Sequence, residues 1–283
     1  MRWQMSRRSS NIEDRRGMNV PRAGGIGCLG LVVVIAISYL TGSNPLELLQ
    51  QMGTDTSAPV REQASVPAGD DTAGEFVRHV LGSTEDAWTE IFSAAGKQYQ
   101  PPTLVLFSDA VSSACGFNSA AVGPFYCPPD QKVYLDLSFF RQLSRQFGAS
   151  GEFANAYVIA HEVGHHVQNL LGISDQIDRA RRRASETDAN ALSVLQELQA
   201  DCLAGVWGHY ANRKEKILDP ADIEDGLNAA QAIGDDLIQK RSQGYVNRDS
   251  FTHGTSEQRA RWLRRGLETG QVNACNTMDS ATL

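Results

Sequence analysis

Residues 153–172 read FANAYVIAHEVGHHVQNLLG, and this stretch decides what kind of domain the chain builds. Its apolar residues recur at helical spacing, and Gly172 suits a helix end. His161 and His165 lie four residues apart. On a helix both imidazoles then stand on one face, one turn apart, where both reach a single zinc ion. Glu162, beside the first of them, can stand next to a metal-bound water and take its proton. The alternative reading is a pair of hydrogen-bonded helix histidines with no metal. His166 points about 100° away around the helix and reads as structural. His79 and His209 read the same way, since neither has a partner at ligand spacing.

Two histidines leave a catalytic zinc site one protein ligand short. The next long helical pattern, 187–210, has Leu192, Leu195, Leu198 and Cys202 at spacings of three and four. In it, Glu197 completes a two-His, one-Glu set. Asp201 follows one turn later, placed to accept the other ring N–H of a metal-bound histidine, His161. A solvated acidic face is the alternative. Against it, CLAGVW follows Asp201, and a carboxylate in apolar surroundings needs a partner.

Outward from this pair of helices, 76–96 has helical spacing, with acids in TEDAW near its start and Gly96 at its end. TLVLF (103–107) reads as a strand. FYC (125–127) and KVYLDL (132–137) flank PPDQ, which is turn chemistry, so they read as a hairpin. Tyr134 in the second of these could flank the cleft, on a strand able to pair with an extended substrate. Residues 221–240 and 256–268 read as two further helices. The domain, 72–283, is α+β: helix-rich with a small antiparallel sheet.

The first 71 residues read differently. Residues 24–42, GGIGCLGLVVVIAISYLTG, carry no charge and predict one transmembrane helix at the short end of the usual range. A cleaved signal peptide is the competitor, but SYLTGSNP offers no clear small-residue cleavage site. Residues 1–23 hold six arginines against Glu13 and Asp14, which predicts a cytoplasmic basic N-terminus. Residues 43–71 read as a flexible linker. The expectation is therefore a single-pass protein of a bacterial cell membrane, with its catalytic domain extracytoplasmic. Of five cysteines, Cys115, Cys127, Cys202 and Cys275 fall in the domain. In an oxidising compartment they suggest two disulfides. Three pairings are open, with Cys115–Cys127 and Cys202–Cys275 preferred because the first two flank one short segment. Four buried free thiols are the alternative. The chain is −7 overall and more acidic outside its first residues, which argues against a nucleic-acid partner.

HEVGH followed by ELQAD resembles the gluzincin arrangement, in which a downstream Glu-x-x-x-Asp helix supplies the third ligand. More closely, the chain resembles the bacterial putative neutral zinc metallopeptidase family. The stretches that carry the resemblance are RRSSNIEDRRG (7–17), GPFYCPPDQKVYLDLSFF (123–140), AHEVGHHVQNLLG (160–172), ELQADCLAGVW (197–207) and FTHGTSEQRARWLRRGL (251–267). They imply a zincin-like metallopeptidase domain. In related membrane zinc peptidases a Thr-His-Pro segment followed by an Arg lies near the metal. Thr252, His253 and Arg259 are similar, with Gly254 in place of the proline. By that analogy His253 donates a hydrogen bond to the oxyanion of the tetrahedral intermediate. The alternative is that Thr255 or Ser256 simply caps the last helix, with His253 nearby.

The reading is a membrane-anchored zinc endopeptidase: one Zn2+ on His161, His165 and Glu197, Glu162 as general base, and a protein or peptide substrate. One rival is a non-catalytic, zinc-stabilised scaffold of the cell envelope, although structural zinc sites are usually closed by four protein ligands. A thiol-redox protein is disfavoured because no C-x-x-C occurs.

Overall fold

Asp71 opens the first long helix, α1 (Thr72–Ala94), by accepting the Gly74 amide at 3.1 Å. Helix α1 is continuous, so TEDAW lies in its middle and does not start it. The computed structural model describes residues 1–18 and 71–278. The chain forms two units, one of Met1–Arg16 with Ala68–Leu283 and one of Gly17–Pro67. The expected span 24–42 and the linker before Asp71 lie outside the described residues.

The sheet has the order β1 (Ile12–Asp14), β2 (Thr103–Phe107), β6 (Lys132–Asp136), β5 (Phe125–Cys127). β5 and β6 form the expected antiparallel hairpin, but β1–β2 and β2–β6 pair in parallel. The sheet is therefore mixed, which corrects the expected antiparallel one. Both faces of β2 and β6 are buried beyond their first residues, which is why LVLF (104–107) is apolar throughout. Leu104, Leu106, Val133 and Leu135 face the main core. Val105, Phe107 and Tyr134 face a smaller cluster with Val111, from the hairpin β3 (Ala110–Ser113) and β4 (Gly116–Ser119). Tyr134 is thus a core residue stacked on Phe125, and β6 is an inner strand, with β5 at the sheet edge beside it.

Helix α2 (Ser138–Phe147) leads to α3 (Glu152–Leu170), which carries HEVGH and is buried along most of its length. Helix α4 (Ile173–Arg181) follows, then the long α5 (Glu186–Glu215), then α6 (Pro220–Ala232), α7 (Asp235–Gln243) and α8 (Ser256–Thr269). Helices α3 and α5 cross at Gly164, where a Cβ would stand 2.9 Å from the Ala200 carbonyl oxygen. The glycine inside HEVGH lets the two backbones approach, and that approach sets α3 against the helix bearing Glu197 and Asp201.

Disulfides Cys115–Cys127 and Cys202–Cys275 are present, with S–S distances of 2.14 and 2.03 Å. The first ties the β3–β4 hairpin to β5. The second ties α5 to the segment after α8.

The topology expected for the N-terminus is overturned. Residues 1–16 belong to the same unit as the domain. Trp3 packs edge-to-face on Phe76 of α1, and β1 pairs with β2. Backbone hydrogen bonds cannot bridge a hydrocarbon layer about 30 Å thick. A cytoplasmic N-terminus with the catalytic domain on the other side of a bilayer is therefore incompatible with the fold. The arginines have local partners instead. Arg7 pairs with Glu85 and Asp86, Arg8 with Glu75, and Arg16 with Asp14 and Asp71. Buried Glu85 also accepts from Ser9 Oγ at 2.6 Å and Asn11 Nδ2 at 2.7 Å. Gly82 leaves room for this segment, since a Cβ there would fall on the Arg7 carbonyl. Among the described residues no helix is long and apolar enough to cross a membrane. The expected fold class, a domain preceded by one transmembrane helix, and the expected single-pass localisation therefore find no support.

Candidate active site

A cleft of about 550 Å3 opens between α3, α5 and the segment leading into β5. His161, Glu162, His165 and Glu197 line it together. Among the described residues, His161, His165 and Glu197 are the group able to hold a metal. His161 Nε2 lies 3.2 Å from His165 Nε2 and 3.1 Å from Glu197 Oε2, and His165 Nε2 lies 3.4 Å from Glu197 Oε1. Tetrahedral zinc with bonds of 2.0–2.1 Å separates its ligand atoms by about 3.3 Å. The spacing fits.

The donor chemistry fits as well. His161 Nδ1 donates to Asp201 Oδ1 at 2.8 Å, and His165 Nδ1 donates to Gln168 Oε1 at 2.9 Å. Each neutral ring then presents its Nε2 lone pair inward. Two lone pairs facing each other beside a carboxylate are stable only around positive charge. The electrostatics agree. Burial works against the charged form of His161, but Asp201 and Glu197 outweigh it and raise its pKa to about 10. Burial would raise Glu197, yet His165 and His161 hold its carboxyl well below the ordinary range. A bound cation satisfies the same demand.

Asp201 is fully enclosed, and four hydrogen bonds reach it. His161 and Tyr157 donate to Oδ1, the latter at 2.5 Å. Arg259 donates Nε to Oδ2 and Nη2 to Oδ1. Burial would raise its pKa, but Arg259 and His161 bring it down to about 2. Glu162 is buried at the cleft wall, and burial raises its pKa against the pull of His161 and His165. A raised carboxyl is better suited to exchange protons near neutral pH.

His253 is outside the metal group, on the cleft rim, with its side chain half exposed. Asp235 accepts from the Thr252, His253 and Gly254 amides and lies 3.2 Å from His253 Nδ1. Gly254 has φ +91°, a conformation closed to proline, so the turn departs from the Thr-His-Pro pattern. Thr255 forms a capping box with Gln258, so the capping role exists beside any role of His253. His166 is structural: Nε2 donates to the Gln100 carbonyl at 2.6 Å, and Nδ1 accepts from Tyr126. Sequence reading passed over Tyr157 and Gln168. They stand four residues before His161 and three after His165, and that helical spacing was the available signal.

The family described as "Putative neutral zinc metallopeptidase" matches residues 1–278. The uncharacterized protein YpfJ of Escherichia coli (strain K12) is 45% identical over 287 residues, covering 98% of each chain. The uncharacterized protein Rv2575 of Mycobacterium tuberculosis (strain H37Rv) is 41% identical over 259 residues, 87% of this chain and 86% of that one. No solved structure matches the chain significantly.

Proposed function

We propose that this chain, which belongs to the putative neutral zinc metallopeptidase family, is a zinc-dependent endopeptidase with His161, His165 and Glu197 as ligands of one ion. The observation that carries the reading is the inward-facing trio of donor atoms with Glu162 in the same cleft. Zinc in this position supplies a Lewis acid that acidifies water and polarises the scissile carbonyl. Glu162 takes the proton of the attacking water and returns it to the leaving amine. Asp201 holds His161 in one tautomer and orientation. His253, on the rim, donates to the developing oxyanion.

Away from these groups the walls combine apolar Phe125, Phe139, Phe147 and Ile233 with uncharged Gln142, Gln146 and Gln196. His253 aside, the cleft's charged side chains are the metal-site residues and Arg259, which is engaged by Asp201. Such walls suit the interior of an extended polypeptide and offer little to a charged chain terminus. The edge strand β5 can pair with it. A scaffold role is disfavoured because the group has three protein donors, whereas structural zinc sites are usually closed by four.

The test is to incubate the protein with an unfolded polypeptide, with and without a chelator, and to map products by mass spectrometry. Internal cleavage that stops with chelator and returns with zinc is expected. No cleavage under any zinc-replete condition would favour the scaffold.

A further inference from the structure

His165 is tied through two glutamines to a backbone carbonyl outside the cleft lining. Its Nδ1 donates to Gln168 Oε1 at 2.9 Å. Gln168 Nε2 donates to the Gln196 carbonyl at 2.7 Å and to Gln199 Oε1 at 2.9 Å. Gln199 Nε2 donates in turn to the Cys275 carbonyl at 3.0 Å. Gln168 is fully buried and Gln199 nearly so, so neither amide can turn to water. Buried amides must keep their partners, because an unmet one costs about 1–3 kcal/mol.

The relay has a direction. The Cys275 carbonyl only accepts, so Gln199 must present its NH2 there and its oxygen towards Gln168. The Gln196 carbonyl also only accepts. Gln168 therefore spends both N–H groups on α5 and must present its oxygen to His165. That oxygen requires a proton on His165 Nδ1, which leaves the Nε2 lone pair for the metal. The far end is anchored twice. The disulfide joins Cys275 to Cys202, three residues after Gln199, and Thr277 Oγ1 donates to the Leu195 carbonyl at 2.8 Å.

We propose that Gln168 and Gln199 are positioning residues that link His165 to the Cys275 carbonyl, and that this relay sets how tightly the site holds its metal. The inference rests on His165 being a metal ligand. It matches, on the second histidine, the service that Asp201 performs for the first. It differs in being uncharged and in ending on a disulfide-anchored segment.

The test uses the full-length protein. Zinc affinity is measured by competition with a chromophoric chelator, and coordination by the visible spectrum of the cobalt-loaded protein. Gln168→Leu is expected to weaken zinc binding about 10- to 100-fold and to alter the cobalt spectrum. Gln168→Glu keeps an acceptor for Nδ1 but gives up the N–H groups that reach the Gln196 carbonyl and Gln199, so a fall smaller than that of Gln168→Leu, about three- to tenfold, is expected. Gln199→Met leaves the Gln168 side chain in place but cuts the link to Cys275, and a fall of about three- to tenfold is expected. If Gln168→Glu loses as much as Gln168→Leu, packing and not the acceptor matters, and the proposal fails. If the leucine variant does not fold, Gln199→Met decides. Wild-type affinity and spectrum in Gln199→Met overturn the relay and leave the metal site standing. Failure of the wild type to bind zinc removes both.

Discussion

Arg259 and Asp201 meet in two parallel hydrogen bonds, Nε to Oδ2 and Nη2 to Oδ1, each 2.9 Å long, with both side chains buried. A buried pair of this kind adds little net stability, yet orphaning one partner is costly. Arg259→Met is expected to lower the unfolding free energy by about 3–5 kcal/mol in urea denaturation. Arg259→Lys should also be costly, because a lysine cannot make the two-pronged contact. A loss below about 1 kcal/mol in both would show that the pair is not needed to hold Asp201.

The same pair gives a pH dependence in the metal-free protein. The folded pKa of Asp201 is about 2, below its ordinary 3.8. The ionised form is thus favoured by folding, so its stability is fully present above about pH 4 and is lost as pH falls towards 2. The contribution is about 2 kcal/mol. The stability advantage of wild type over Asp201→Asn is expected to shrink between pH 5 and pH 2 in denaturation series run with chelator. An advantage constant across that range would assign it to packing.

Glu162→Gln should leave zinc content unchanged while hydrolysis falls by about two to four orders of magnitude, the usual worth of a general base. Metal analysis and peptide turnover on the same sample check both halves. Turnover at the wild-type rate would remove Glu162 from the mechanism.

His253→Ala is expected to lower kcat about 100-fold with zinc content and KM little changed, as removal of an oxyanion donor does. The capping box of α8 does not involve the imidazole, so melting temperature should hold. Unchanged kcat would leave His253 as a rim residue beside a helix cap.

Gly82→Ala tests the N-terminal segment. The added methyl meets the Arg7 backbone, which cannot swing away as a long side chain could. A destabilisation of about 1–3 kcal/mol is expected, together with faster proteolysis within residues 1–16. A variant as stable and as resistant as wild type would mean that the segment rests loosely on α1.

The grouping of His161, His165 and Glu197 was legible because its signal is local. His161 and His165 share a helix face by spacing, and Glu197 with Asp201 does so one helix later. The two disulfides followed from count and proximity. Arg259 was noticed only by resemblance, and Gln168 and Gln199 not at all. Their partners lie across α3, α5 and the Cys275 segment, and a buried glutamine looks like any other in sequence. The N-terminal segment misled for a related reason. Its arginines suggested a membrane topology, whereas Glu85, Asp86, Glu75 and Asp71, far along the chain, are what they meet. β1 is three residues long and two of them are charged, so nothing in its composition announces a strand.

Pairing β1 with β2 also orders events during synthesis. Ile12–Asp14 leave the ribosome early, but their partner Leu104–Leu106 comes much later. At ordinary elongation rates the strand waits on the order of ten seconds for a neighbour. A strand made first and seated only after its partner lengthens the average loop that folding must close, and such loops slow folding. Once β2 is made, the edge that β1 covers stays open until β1 seats. A peptide copying Ile12–Asp14 and its flanks, added during refolding, would compete for that edge.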